Sequence, residues 1–396
     1  LVPAVKRKPS WNANLDPLVK PKFGTMDKTR RKFLKGLSLA GVATCSSPLL
    51  LSFPITPFKF NVLVLGGTNF LGPAIVRALI NAGHNVTLFN RGITHPELFP
   101  GLSKIKGDRN MGLSGYGLLA KATTNWDVVI DVWPQNPNLV QDAIAILHNR
   151  TKHYIFISSI AVYENYGTIG LKEDTARRKG NRYEAGNYNL NKVLCEKLVE
   201  KAFPGRFTIL RPGAIVGDRD PGPFGTYVLN RMMNRKEILA PDSNDPVQFI
   251  DAQDIGRFIT RCIEKNVGGH FNLVGPGSTM GYKDMLIRAK SVLKSTVEIL
   301  WMDPKFLVKE AQLEPFMEVP FWIPVAFDPE PGFYQISNEK AIHHGLIFTD
   351  YDQTVKTSYY SVKEQRFIVE EGYDTVFGIS EAKENQIIAQ WKKHHP

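Results

Sequence analysis

Asn61-Val62-Leu63-Val64-Leu65-Gly66-Gly67-Thr68-Asn69-Phe70-Leu71-Gly72 decides the fold. The run 61–65 is apolar without alternation, which predicts a short strand buried on both faces. A glycine-rich turn follows, and then a helix from about Pro73 to Ala82. Gly66, Asn69 and Gly72 occupy the three positions of a Gly-x-x-Gly-x-x-Gly turn. The first glycine permits the bend out of the strand, and the last lets the helix lie close to the sheet. N–H groups at the helix start then face a pyrophosphate. Asn69 replaces the middle glycine, and Asn tolerates a left-handed backbone better than most residues. Thr68, Phe70 and Leu71 complete the turn and are assigned with it to a dinucleotide.

Outward from this stretch the pattern repeats. Residues 85–89, 103–106, 127–132, 153–157 and 207–210 read as further strands, with helical stretches between them. Alternating strands and helices predict an α/β fold, a Rossmann-type doubly wound parallel sheet. After Pro212 glycine and proline become frequent, 247–251 leads into another helix, and 315–334 is irregular and aromatic. Ser380 is a suitable N-cap for a last helix reaching about Trp391. The division expected is a nucleotide domain over 58–217 with a return segment at about 247–275. A smaller substrate-binding cap takes 218–246 and 276–396.

The close of the second strand reads the adenosine end of a dinucleotide. NAD sites commonly place an acid there for the ribose hydroxyls. Here Asn90 and Arg91 stand in its place. Arg91 can pair with a 2′-phosphate, which tilts the cofactor toward NADP over NAD. Asp108 and Arg109 follow the third strand, where an acid can accept from the adenine amino group.

Tyr188 and Lys192 form a Tyr-x-x-x-Lys segment predicted to open a helix ending near Lys201. A spacing of four puts both side chains on one face. An ammonium nearby favours the phenolate, so Tyr188 is expected to titrate below its ordinary value and move a proton while hydride moves. Ser158 and Ser159 end the fifth strand, and one of them can hydrogen-bond the reacting oxygen. Trp133, Tyr163 and Tyr166 are candidate substrate contacts. Trp301, Phe316, Phe321 and Trp322 also suit a cap pocket, although core packing explains such aromatics more simply.

In order and separation these segments resemble the short-chain dehydrogenase/reductase superfamily, in its extended NAD-dependent epimerase/dehydratase branch, over about residues 58–360. The resemblance rests on 66–72, 156–163, 188–192, 211–217 and 249–255. It implies a catalytic set of Ser159, Tyr188 and Lys192, and places Pro212, Ala214 and Ile215 near the nicotinamide. Two departures stand out besides Asn69. Asp131 to Pro134 lie where the family has small residues, and Val247-Gln248 replace an Arg-Asp pair. That arginine would hold a substrate pyrophosphate, so its absence argues against a nucleotide-sugar substrate.

The chain has 396 residues, 43% hydrophobic and 22% charged, ample for a buried core. Its net charge of +11 invites a nucleic-acid partner. Residues 1–50, however, hold ten Lys/Arg and two acids, so only +3 remains elsewhere and no nucleic-acid partner is expected. Thr29-Arg30-Arg31-Lys32-Phe33-Leu34-Lys35 precedes an apolar stretch and matches a bacterial twin-arginine export signal. The expectation is a signal and linker over 26–55, with 1–25 an upstream extension. Export would use the twin-arginine translocase and end in the periplasm or at the periplasmic face of the membrane. That route carries folded proteins, so a cofactor can be loaded beforehand. Cys45 lies in the leader, and Cys195 and Cys262 fall on predicted helices without metal-ligand spacing, so no metal is expected. The reading is an exported NAD(P)-dependent oxidoreductase or epimerase acting on a small molecule, a sugar or polyol. A homo-oligomer is compatible with it. The alternatives are a non-catalytic NAD(P)- or RNA-binding relative, or a reductase of phenolic compounds.

Overall fold

Val62 and Val64 pack on one side of the first strand and Leu63 and Leu65 on the other, and all four are buried. That is the pattern of a strand covered on both faces. The structure, a computed structural model, describes residues 58–132, 135–366 and 377–394. The chain divides at Ile55/Thr56 into two units, and all described residues lie in the second. The leader and Trp133 therefore fall outside the described residues.

The strands and helices run in the order β1 (Asn61–Leu65), α1 (Leu71–Asn81), β2 (Asn85–Asn90), β3 (Ser103–Lys106), α2 (Gly117–Lys121), β4 (Trp126–Asp131), α3 (Pro137–Leu147), β5 (Thr151–Ile157), α4 (Tyr188–Ala202) and β6 (Phe207–Pro212). A later strand, Gly269–Leu273, returns to this sheet beside β6. The seven strands lie in the order return strand-β6-β5-β4-β1-β2-β3, and every neighbour pair is parallel. The order reverses between β1 and β4, and the crevice at that point is where such sheets bind ligands.

One face is covered by α1 and by the helix Ala252–Lys265. These two approach so closely that a Cβ at Gly256 would lie 2.7 Å from the Ala74 carbonyl oxygen. The other face is covered by α3 and α4, through Val140, Cys195 and Val199. Cys195 and Cys262 are buried, as expected of small apolar residues in helices.

Beyond β6 the chain adds β7 (Ala214–Val216), a π-helical turn at Phe224–Leu229, α5 (Asn230–Asn234), β8 (Glu237–Pro241) and β9 (Pro246–Asp251). Asp251 caps the helix Ala252–Lys265 (α6) by accepting from the Gln253 N–H. After the return strand (β10) come β11 (Gly275–Gly281), α7 (Tyr282–Leu293), β12 (Glu298–Met302), α8 (Glu339–His343), α9 (Tyr351–Lys363) and α10 (Glu381–His394). β7, β9 and β11 make a small mixed sheet, and β8 pairs with β12. A separate apolar cluster around Phe224, Phe249, Met285, Trp322 and Val355 joins these segments. Each fully buried side chain of that size contributes about 2 kcal/mol. Ser380 Oγ accepts from the Lys383 N–H at the start of α10.

Candidate active site

The phosphate turn is made by two consecutive left-handed glycines, Gly66 (φ 116°) and Gly67 (φ 102°). This corrects the expectation for Asn69, which is not among the residues with positive φ. The bend is complete before the chain reaches it, so Asn69 does not need a left-handed backbone. Gly72 is forced by space, because a Cβ there would lie 2.5 Å from the Gly67 Cα. No side chain caps α1, which leaves its first N–H groups for an anion. Gly67 was not singled out from the sequence, although the doubled glycine was its signal.

Gly66 to Gly72 border a cavity of about 660 Å³ above the carboxyl ends of the strands. Ligand pockets commonly have this size. At one end lie Asn90, Arg91, Asp108 and Arg109, and at the other Ser158, Ser159, Tyr188, Pro212, Ala214 and Ile215. The left-handed glycines, the uncapped helix start and the length of the crevice fit a dinucleotide. Gly66 to Gly72 would hold its pyrophosphate.

Two residues assigned to the cofactor have their polar groups engaged within the protein. Asn90 Nδ2 donates to the Gly66 carbonyl at 3.2 Å, and its Oδ1 accepts from the Gly92 N–H at 3.0 Å, so it braces the turn. Arg109 donates to Asp131 at 2.6 and 3.0 Å, to the Tyr116 hydroxyl at 2.8 Å and to the Leu139 carbonyl at 2.9 Å. It borders the cavity as a fixed wall, with its guanidinium held by Asp131, Tyr116 and Leu139. Asp131 is fully buried and also accepts from the Tyr154 hydroxyl at 2.7 Å, which explains how an acid is tolerated there. Asp108 Oδ1 caps the following 3-10 turn at the Asn110 N–H. Arg91 is exposed at the cavity edge.

At the other end the strand terminus separates its two serines. Ser159 is the hydrogen-bonding neighbour of Tyr188, while Ser158 Oγ is buried and makes no hydrogen bond with the described residues. Lys192 is buried and donates to the Ile157 carbonyl at 2.8 Å. Its Nζ lies 5.7 Å from the centre of the Tyr188 ring. Burial pushes Lys192 down to about 8. Burial also pushes the Tyr188 phenol up, against a smaller opposing pull from Ser159. This corrects the expected direction for the phenol: loss of water outweighs the favourable groups around it.

Tyr163 and Tyr166 are corrections as well. Both are buried with Ile160, Leu171 and Val274, and neither borders the cavity. The Tyr163 hydroxyl donates to Asn272 Oδ1 at 2.6 Å and accepts from Arg211 at 3.2 Å. The Tyr166 hydroxyl donates to the Ile160 carbonyl at 3.1 Å. They follow a short 3-10 turn after Ser159 that carries their rings beneath the floor. Trp322 is fully buried core, whereas Phe316 and Phe321 do line the cavity.

Beneath Ser158, Arg211 donates to both oxygens of Glu196 at 3.0 and 2.9 Å. Arg177 bridges Glu196 and Glu200, and His270 contacts Glu200 at 2.8 Å. Glu196, Glu200 and His270 have metal-ligand proximity, but the two arginines already occupy the carboxylates. The network fixes α4 to β6 below the Tyr188 helix start.

Residues 117–274 match the NAD dependent epimerase/dehydratase family. The chloroplast stem-loop binding protein of 41 kDa b of Arabidopsis thaliana is 27% identical over 197 residues, 46% of this chain and 49% of that protein. The chain thus spans about half the length of that relative. Phenylcoumaran benzylic ether reductase TP7 of Nicotiana tabacum is 23% identical, over 65% of this chain and 82% of that protein. Among solved structures, the UDP-Glc/GlcNAc 4-epimerase of Campylobacter jejuni superposes with a TM-score of 0.59 at 15% identity, covering 77% of this chain and all of that one. The structural likeness carries the fold. The family match covers less than half of the chain's 396 residues.

Proposed function

We propose that this chain is an exported NAD(P)-dependent oxidoreductase or epimerase that acts on a carbinol of a sugar- or polyol-like substrate. The observation that carries this reading is that Ser159 and Tyr188 line the cavity that begins at Gly66, with Lys192 Nζ buried 5.7 Å from the centre of the Tyr188 ring. The bound nicotinamide would accept or return the hydride. Tyr188 takes the proton from the substrate hydroxyl, or returns it to the carbonyl. Ser159 orients that oxygen, and the Lys192 ammonium favours the phenolate as the proton leaves.

Arg91 and the lack of an acid after β2 support NADP over NAD. The twin-arginine motif at Thr29–Lys35 supports export, and scarce free cofactor outside the cytoplasm then favours a tightly retained one that is regenerated in place. Epimerisation through a transient ketone does this, as does alternating oxidation and reduction of two substrates. A second reading, reduction of a phenolic compound, is favoured by the tobacco reductase match and by Phe316 and Phe321 in the wall.

The purified protein is denatured and its supernatant assayed for nicotinamide nucleotide, and the native protein is followed at 340 nm with a panel of polyols, sugars and phenolics. Retained nucleotide reduced by a polyol, and not after Tyr188→Phe, is expected. An empty protein that needs millimolar added cofactor contradicts retention, and unchanged turnover in Tyr188→Phe contradicts the mechanism. Replacing Arg30 and Arg31 by Lys should abolish periplasmic recovery of a bacterially expressed chain. Undiminished recovery contradicts the export route.

A further inference from the structure

The wall beyond Tyr188 contains a carboxyl that the chemistry above does not use. Asp220 borders the cavity, is 3% exposed, and lies in the turn Asp220-Pro221-Gly222-Pro223, all of which lines the same wall. Its Oδ1 accepts from the Gly222 N–H at 2.7 Å. Its Oδ2 has no hydrogen-bond partner among the described residues, and Asp220 makes no ion pair with them. A buried polar atom left this way is costly, and folded proteins rarely keep one without a use. Burial pushes the carboxyl up to about 7, the Gly222 N–H opposes this, and the nearby Asp251 adds to it.

The turn is held from behind. Asp218 pairs with Arg77 at 3.2 Å and with Arg366 at 3.3 Å, and the Arg219 N–H donates to Ser361 Oγ at 2.7 Å. The carboxyl therefore cannot easily swing out to water. Such bracing is what a prepositioned recognition group requires.

The charges around it select a ligand class. Two cations border the cavity, Arg91 and Arg109, and they follow β2 and β3. Tyr188 opens the helix after β5, and Asp220 follows β7, beside Asp218, which pairs with Arg77 on α1. Among the described residues no other Lys or Arg borders the cavity, and Lys192 lies buried behind the Tyr188 ring. Val247, which stands where an arginine would grip a diphosphate, is buried and apolar, and the amide of Gln248 beside it is tied in both directions to Ile336 at 2.9 Å. The rest of the wall combines Phe316, Phe321, Tyr334 and Phe377 with prolines and small residues. Phe316 and Phe321 have positive φ, 63° and 70°, a conformation that bulky side chains seldom adopt outside functional sites.

We propose that this half of the cleft is a subsite for an uncharged, hydroxyl-bearing ring, with Asp220 accepting or donating one hydrogen bond to a ring hydroxyl and the phenylalanines covering its face. The inference rests on the redox reading and names its substrate class. A carboxyl suits a hydroxyl in either protonation state, and an anionic group beside Asp220 would be repelled by its ionised form.

The test uses the full chain saturated with NAD+ or NADP+, with myo-inositol, methyl glucoside and UDP-glucose as probes read by saturation-transfer NMR. The neutral rings should bind more tightly than UDP-glucose. Asp220→Asn and Asp220→Ala should each weaken them at least tenfold while leaving nucleotide content unchanged. Asp220→Asn should also melt at a higher temperature than wild type at pH 8 and not at pH 4, because the burden of the buried carboxylate grows between those values. A purely structural role would lower the melting temperature instead. Tighter UDP-glucose binding, no neutral ring bound, unaltered binding in Asp220→Asn, or loss of nucleotide in its place overturns the proposal. If a ring binds through Asp220 yet never reduces the nicotinamide, the redox reading fails and the subsite stands.

Discussion

The phosphate turn of the cleft comes from one short stretch, residues 61–72, while the opposite half is gathered from segments around Ser159, Asp220, Phe316 and Phe377. In the first half, backbone sterics fix the geometry: two left-handed glycines and a third that no larger residue can replace. In the second, side chains are positioned by the buried ion pair of Glu196 with Arg211 and by the aromatic cluster behind the wall. The difference teaches where each half is fragile. One breaks when a single methyl is added, and the other when a polar network loses a member.

The sharpest way to break this contrast is Gly72→Ala. The new Cβ would meet the Gly67 backbone at 2.5 Å and 2.6 Å, where nothing can rotate aside. Nucleotide retention should be lost and stability should fall by about 1–3 kcal/mol. Calorimetry with and without NAD+ checks both, and a variant that keeps its nucleotide would show that the turn is softer than described.

Tyr188→Phe attacks the opposite half without touching the first. Turnover should drop by about 10²–10⁴ while nucleotide content stays the same. Loss of the nucleotide along with activity would mean that the two halves are not separable.

The pH profile sharpens the same point. Burial holds Lys192 at about 8, so turnover that needs its ammonium should fall above pH 8, about tenfold per unit. The sign for stability is opposite. The folded value lies below the ordinary value of 10.5, so the charged lysine costs stability below pH 8, and that cost fades as pH rises toward 10.5. A protein that loses activity while its melting temperature holds or rises would match both. A flat rate profile through pH 9 would remove Lys192 from the proton chemistry.

Arg91→Ala gives the smallest effect. It should weaken NADP+ by about tenfold, roughly 1.4 kcal/mol, and leave NAD+ nearly unchanged, as read by isothermal titration. Equal losses for both nucleotides would place Arg91 away from the 2′-phosphate.

Much of the nucleotide half was legible because its causes are local in sequence. A strand buried on both faces, a glycine turn and a following helix each leave a signature within twelve residues. The assignment of Asn69 to a left-handed position failed because a repeat of three hid the doubled glycine beside it. Tyr163 and Tyr166 were misread for another reason: the direction of a 3-10 turn, which carries both rings under the floor, has no spacing signature. The Tyr188 phenol was assigned the wrong direction because the sequence displays its charged neighbour and not the water it loses. Asp220 was passed over because Asp-Pro-Gly-Pro reads simply as a turn.

The sequence by itself determined the parallel α/β sheet, its nucleotide end, and the Tyr188 and Lys192 pair on one helix face. These follow from backbone periodicity and glycine sterics, which act between near neighbours. Only the tertiary structure decided which serine meets Tyr188, which arginine is locked to an acid, and that a carboxyl stands alone in the far wall. Those outcomes depend on burial and on partners brought together from distant parts of the chain, and desolvation has no local signature.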